Sequence, residues 1–234
     1  RFTPSSGAFD DPFNAADISA RFGLPVRRAQ LDIAGLFKRS AGLRSNSDLS
    51  QYNGTAAIAF SGRRVTLGSS LLYSDKEYGI PGPMPLVDST HPAPVFGDST
   101  ATSIFDRERD RVFIANTKAE WQATDHITCH ANFLADRKRT VYTTTYGSWS
   151  ADTITEEYDY LTRMLGSNTM VTVQWPRMNF TVGLDLRNDT LETRVASTQS
   201  ADTSWHAASR NVGVWTEIGL RLVPDVSASS SIRY

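Results

Sequence analysis

Apolar and polar residues alternate with a period of two along most of this chain. Between Arg111 and Ala123, Phe113, Ala115, Ala119 and Trp121 point one way, and Asn116, Lys118, Glu120 and Gln122 the other. Between Asn179 and Arg187, Phe180, Val182, Leu184 and Leu186 alternate with Thr181, Gly183, Asp185 and Arg187. That period belongs to a β-strand with two unlike faces. The same reading predicts nine strands, over 28–38, 51–61, 64–74, 111–123, 126–138, 157–175, 179–187, 211–222 and 225–234. No helical periodicity competes with it. Residues 1–27 are the least regular and leave room for a ragged tenth strand.

The connections follow a rhythm. Short turns at Ser61-Gly62-Arg63-Arg64, Thr124-Asp125-His126, Pro176-Arg177-Met178 and Val223-Pro224-Asp225 alternate with long polar loops at about 39–50, 75–110, 139–156 and 191–209. A meander that is tight at every second connection describes a transmembrane β-barrel, with tight periplasmic turns and long extracellular loops. A soluble sandwich shares the alternation, so the choice rests on further features. Several strands exceed the five or six residues usual in soluble sheets and suit a tilted membrane span. Lys118, Glu120, Asp185 and Glu217 place charge in mid-strand, as a wet lumen permits. Tyr52, Phe60, Tyr73, Trp121, Tyr158, Tyr160 and Trp175 fall near strand ends, where interfacial aromatic girdles belong.

Composition agrees. The chain has 234 residues, 40% of them hydrophobic, a net charge of -1 and a mean hydropathy of -0.33. No apolar run reaches the roughly 18 residues of a membrane helix. Alternating strands hide their apolar residues from such averages, so a barrel remains open. The single Cys129 leaves no disulfide framework or thiolate metal site. Near-neutral charge argues against a nucleic-acid partner.

Two stretches carry a family resemblance. One is Tyr73-Ser74-Asp75-Lys76-Glu77-Tyr78-Gly79-Ile80-Pro81-Gly82-Pro83, a strand entering a Gly-Pro loop. The other is Val212-Gly213-Val214-Trp215-Thr216-Glu217, followed across a Pro-Asp turn by Ser231-Ile232-Arg233-Tyr234. In this order they resemble the barrel of TonB-dependent outer-membrane receptors, the vitamin and siderophore importers. The resemblance runs from about Arg28 onward. It implies a barrel of roughly 22 strands with a plugged lumen, of which this chain would be the middle portion. The plug domain and the later barrel strands would then lie outside these 234 residues. Two open edges could not face lipid, so the remainder would have to close them.

Such a receptor would catch an extracellular small molecule or chelate on its outer loops and upper lumen wall. The loop candidates are Tyr78, Met84, His91 and Phe96, then Tyr142, Tyr146 and Trp149, then Trp205 and His206. Their aromatic rings can stack on a flat ligand, or pack on neighbouring loops. Asn116, Lys118, Glu120, Asp185 and Glu217 would face the lumen and contact the plug or the substrate path.

The other chemistry is thin. Asp10, Asp11 and Asp17 form a small acidic cluster, weak support for a calcium site, which needs six or more oxygens. On a strand, His126 and His130 would lie about 13 Å apart, too far for one metal. Cys129 falls on the lipid face by parity, and Glu156 and Glu157 face opposite ways. The expectation is an all-β, antiparallel up-and-down barrel fragment of the bacterial outer membrane. It would take part in energy-coupled nutrient uptake with an inner-membrane partner, without enzymatic activity, cofactor or resident metal. A complete small barrel with a passive or adhesive role, or a soluble all-β binding module, are the rivals.

Overall fold

The computed structural model describes residues 5–8, 16–41, 47–80, 106–147, 153–223 and 226–234. They form one antiparallel sheet of eleven strands whose spatial order is their chain order. The strands are β1 (Ser5–Ala8), β2 (Ala16–Val26), β3 (Ala29–Ser40), β4 (Leu49–Ser61), β5 (Val65–Gly79), β6 (Arg107–Gln122), β7 (Ile127–Gly147), β8 (Thr153–Trp175), β9 (Met178–Ser197), β10 (Thr203–Val223) and β11 (Val226–Arg233). The nine strands expected are all present, and residues 1–27 contribute two more. No ladder among the described residues joins β1 to β11, so the sheet is open.

At one end the described connections are tight. Gly62–Arg64 is closed by the Gly62 amide donating to the Val65 carbonyl at 2.7 Å. In the β6–β7 turn, Thr124 Oγ1 accepts from the amides of His126 and Ile127 at 3.2 and 3.1 Å. Arg64 reaches Asp125 in the neighbouring turn at 3.4 Å. A further tight turn at this end, Arg27–Arg28, is not among those expected: it carries no Gly or Pro of its own, and Arg27 adopts the left-handed conformation, φ 51°. Of the expected turns, Val223-Pro224-Asp225 lies partly outside the described residues.

The other end corrects the expected loops. Strands β7 and β8 replace most of 139–156, and β9 and β10 leave only 198–202 of the expected 191–209. Likewise β5 extends to Gly79 and β6 begins at Arg107. These extensions escaped the alternation because both of their faces are polar. Residues 137–145, Arg-Lys-Arg-Thr-Val-Tyr-Thr-Thr-Thr, show no apolar stripe, yet β-branched residues suit a strand.

The ladder registers sort every strand into two faces. One carries Phe22 and Leu24, Leu31 and Ile33, Ile58 and Phe60, Leu67 and Leu71, Phe113 and Trp121, Val171 and Leu165, and Leu184 with Val214. No hydrophobic side chain among the described residues is buried. The apolar face is instead an exposed band, about nine residues deep on each strand from β3 to β10. Phe60, Trp121 and Trp175 edge it at the tight-turn end, and Phe37, Tyr52, Tyr73 and Phe113 at the other. Phe37 and Tyr52 are opposite one another, ring centroids 4.9 Å apart.

The band slips along the sheet. The rung that starts at Phe37, its upper limit on β3, passes through Tyr52, Asp75, Arg111, Arg139, Leu161, Glu192 and His206. On β10 that rung lies six residues beyond Val212, where the apolar run ends. A slip near one residue per strand corresponds to strands tilted by about 30–35°, from a 3.3 Å rise and a 4.8 Å strand spacing. That is close to the tilt of closed membrane barrels.

Candidate functional site

The polar face gathers the mid-strand groups expected in a lumen. Lys118, Asn132, Asn168 and Asp185 occupy one rung across β6 to β9. Asn116 lies on the next rung toward the long strands, and Glu120 on the next toward the tight turns. Glu120 faces His130, 3.5 Å from its Nδ1. Asp185 accepts hydrogen bonds from Asn168 Nδ2 and from the Arg233 guanidinium. Glu217 pairs with Thr181, itself bonded to Thr172 at 3.1 Å. All five expected lumen residues therefore share one face and adjoining rungs. The buried oxygens Asn116 Oδ1, Asn132 Oδ1 and Asp136 Oδ1, all on this face, have no hydrogen-bond partner within the described structure. Buried acceptors are normally satisfied, by protein groups or by ordered water.

Beyond the apolar band the same face becomes aromatic. One rung holds Tyr78, Glu108, Tyr142 and Tyr158 on β5 to β8. The rung below holds Lys76, Asp110, Thr140, Tyr160, Thr193 and Trp205 on β5 to β10. Tyr142 and Tyr158 have centroids 6.1 Å apart, and Tyr158 and Tyr160 lie nearly parallel at 6.5 Å. Tyr158 donates to Glu156 Oε2 at 2.7 Å. Lys76 Nζ sits 4.2 Å above the Tyr78 ring. Burial, then the hydrogen bond to Glu108, pushes the Tyr78 hydroxyl up to about 12, so it stays protonated at neutral pH.

Tyr160 and Trp205 stand out within this cluster. Among the described residues, every other large hydrophobic side chain that is exposed belongs to the apolar face or to the chain end. These two are 38% and 54% exposed and flank Thr193, which is buried and whose Oγ1 lacks a partner within the described residues. With strands about 4.8 Å apart, Tyr160 and Trp205 bracket a gap of about 10 Å. Two aromatic walls around a polar floor can hold a flat or conjugated ligand by stacking while Thr193 hydrogen-bonds its edge.

The structure thus brings together Tyr78, Tyr142 and Trp205 from the expected candidates. His206 is on the opposite face, across from Glu192. Tyr146 belongs to β7, where its Cα pairs with Ile154. Met84, His91, Phe96 and Trp149 lie outside the described residues, as do Asp10 and Asp11. Tyr158 and Tyr160, read from the sequence as girdle aromatics, belong to the polar face instead. The signal was available: on β8 the odd positions Leu165, Val171 and Val173 are apolar, so the even Tyr158 and Tyr160 must face the other way. Cys129 lies on the apolar face, and His130 shares no metal cluster among the described residues.

No protein-family model and no curated protein matches the chain. Solved structures do. The closed form of the ferric-catecholate import receptor Fiu from E. coli superposes with a TM-score of 0.73 at 12% identity, over 95% of this chain and 39% of that one. The ferripyoverdine receptor of the Pseudomonas aeruginosa outer membrane superposes at 0.72 and 10% identity, over 95% and 35%. The RagAB peptide transporter gives 0.70 at 12% identity, over 94% and 31%. The chain has the fold of these outer-membrane receptor barrels and spans roughly a third of their length.

Proposed function

We propose that this chain is part of a TonB-dependent receptor of the bacterial outer membrane that imports a scarce, large nutrient such as a metal chelate or vitamin. The supporting observation is the aromatic cluster Tyr142, Tyr158, Tyr160 and Trp205, on the polar face of a sheet whose other face is an uncovered apolar band. In a closed barrel this cluster lines the outer half of the lumen, above the membrane. A ligand descending from the loops would meet Tyr78 and Tyr142, then stack between Tyr160 and Trp205. The lower ladder of Asn116, Lys118, Glu120, Asp185 and Glu217 would face the plug, whose donors would satisfy Asn116 and Asn132. Eleven strands are half of a barrel of about 22, the size whose lumen is plugged. Energy would come from an inner-membrane partner acting on the plug.

The test uses the complete receptor in detergent, with ferric catecholate, ferric hydroxamate and cobalamin as separate probes. At least one probe should quench tryptophan emission saturably. The double substitution Tyr160→Ala/Trp205→Ala should weaken that probe at least tenfold while the barrel keeps its heat-dependent gel mobility. Equal affinity in the variant, or no quenching by any probe, would refute the assignment.

A further inference from the structure

Cations on β5 to β8 segregate by type. Lys76, Lys118 and Lys138 all occupy the polar face; Arg107, Arg109, Arg111, Arg137, Arg139 and Arg163 all occupy the apolar-face parity, beyond the band. Because the band slips with strand tilt, the first position beyond it must be compared strand by strand. From β3 to β10 these positions are Arg39, Ser50, Asp75, Arg111, Arg137, Arg163, Asn188 and Arg210. Five of the eight are arginine and one is acidic. The next row, with Asp48, Glu77, Arg109 and Arg139, is charge-balanced.

The first row is therefore a belt of positive charge at the outward end of the band. Its register is unfavourable on its own terms: Arg137 lies directly opposite Arg163, and Arg111 opposite Arg139. Like charges placed directly across a ladder destabilise it. Acids relieve part of this, with Asp75 at 3.3 Å from Arg111, Asp159 at 2.7 Å from Arg139 and Glu192 at 3.1 Å from Arg163. Arg137 and Arg210 make no ion pair among the described residues. Arg111 and Arg163 remain 43% and 49% exposed despite their pairs. Arg137 and Arg139 also border a depression of about 630 Å³ in the same surface.

We propose that this arginine belt binds the phosphate groups of phosphorylated glycolipid in the outer leaflet. The inference rests on the barrel reading above, which sets the band in the bilayer and the long strands outside. A phosphate at the hydrocarbon boundary is then at the height of the belt. Arginine suits it, because the planar guanidinium pairs with phosphate through two parallel N–H···O bonds and is weakly hydrated, whereas lysine is a strongly hydrated point charge. Bound phosphate would also offset the Arg137–Arg163 repulsion.

The experiment uses the complete receptor purified in neutral detergent and titrated with bisphosphorylated lipid A, the same lipid with both phosphates removed, and inorganic phosphate. Native mass spectrometry counts retained lipid. The receptor should retain bisphosphorylated lipid A, and Arg137→Gln/Arg163→Gln/Arg210→Gln should retain at least fivefold less. Arg177→Gln, at the opposite turn, should behave as the parent. Equal retention by the triple variant, or equal retention of the dephosphorylated lipid, overturns the belt assignment. Full competition by inorganic phosphate at matched concentration also overturns it, and makes the site one for soluble anions. Heat-dependent gel mobility is read in parallel: its absence, with a monodisperse protein in plain buffer, sinks the barrel reading itself rather than the lipid site alone.

Discussion

Gly183 shows what a single position does here. The Trp215 indole lies over it from the neighbouring strand, on the polar face, so closely that a methyl group there would collide with the ring. Gly183→Ala should destabilise the folded barrel by about 1–3 kcal/mol, the usual cost of overpacking. In a double-mutant cycle, Trp215→Ala should absorb much of that cost, since the two changes share one contact. Chemical denaturation in detergent measures both. Asp75 is a second informative residue. Its hydrogen bond from Arg109, with the charges of Arg109 and Arg111 adding to it, holds its carboxyl below the ordinary 3.8. A lowered folded value gives stabilisation that is full above the unfolded value and disappears as pH falls through the folded one. The stability gap between the parent and Asp75→Asn should therefore be constant above pH 3.8 and shrink below it. A gap that instead grows on acidification contradicts the pairing.

At the scale of the element, depth along a strand should decide what an outward substitution costs. Val182 on β9 sits midway through the apolar band, whereas Ala208 on β10 shares its face but lies beyond the band. Arginine at Val182 should cost about 2–4 kcal/mol and at Ala208 about 0–1 kcal/mol. Refolding into bilayers reads the difference, and equal penalties would remove the bilayer from this face. The strands also explain where sequence reading stops. Within the band, alternation located the strands to within a few residues. Beyond it, both faces of 137–145 are wet, and pairing rather than hydrophobicity carries the strand onward. Arg139 bonded to Asp159, and Thr140 to Asp110 at 2.5 Å, belong to that pairing.

For the whole molecule, the decisive property is a sheet with an exposed apolar face and no buried hydrophobic side chain among the described residues. Such a surface is continuous across neighbouring strands, whereas soluble monomers rarely expose contiguous apolar patches of more than a few hundred Å². The complete protein should be monodisperse only in detergent or lipid. A monodisperse, folded protein in plain buffer, measured by sedimentation, would return the chain to the soluble all-β class. The slip of the band matters at this scale too. It makes the arginines of separate strands, scattered over several rungs, lie at one height once the strands tilt.

Local residue chemistry by itself determined the strand period, the two faces, the tight turns at 61–64, 124–126 and 176–178, and the shared polar-face parity of Asn116, Lys118, Glu120, Asp185 and Glu217. These follow from neighbours along one chain, where the side-chain direction reverses at every residue. It also held the parity of Tyr158 and Tyr160, had β8 been read from its apolar half upward. Only the tertiary structure decided which residues of different strands share a rung, because register is set between strands. That step put Tyr160 and Trp205 on either side of Thr193, separated His206 from them, and aligned Arg137 with Arg163. Pairing partners and strand stagger are long-range quantities, and no window of sequence contains them.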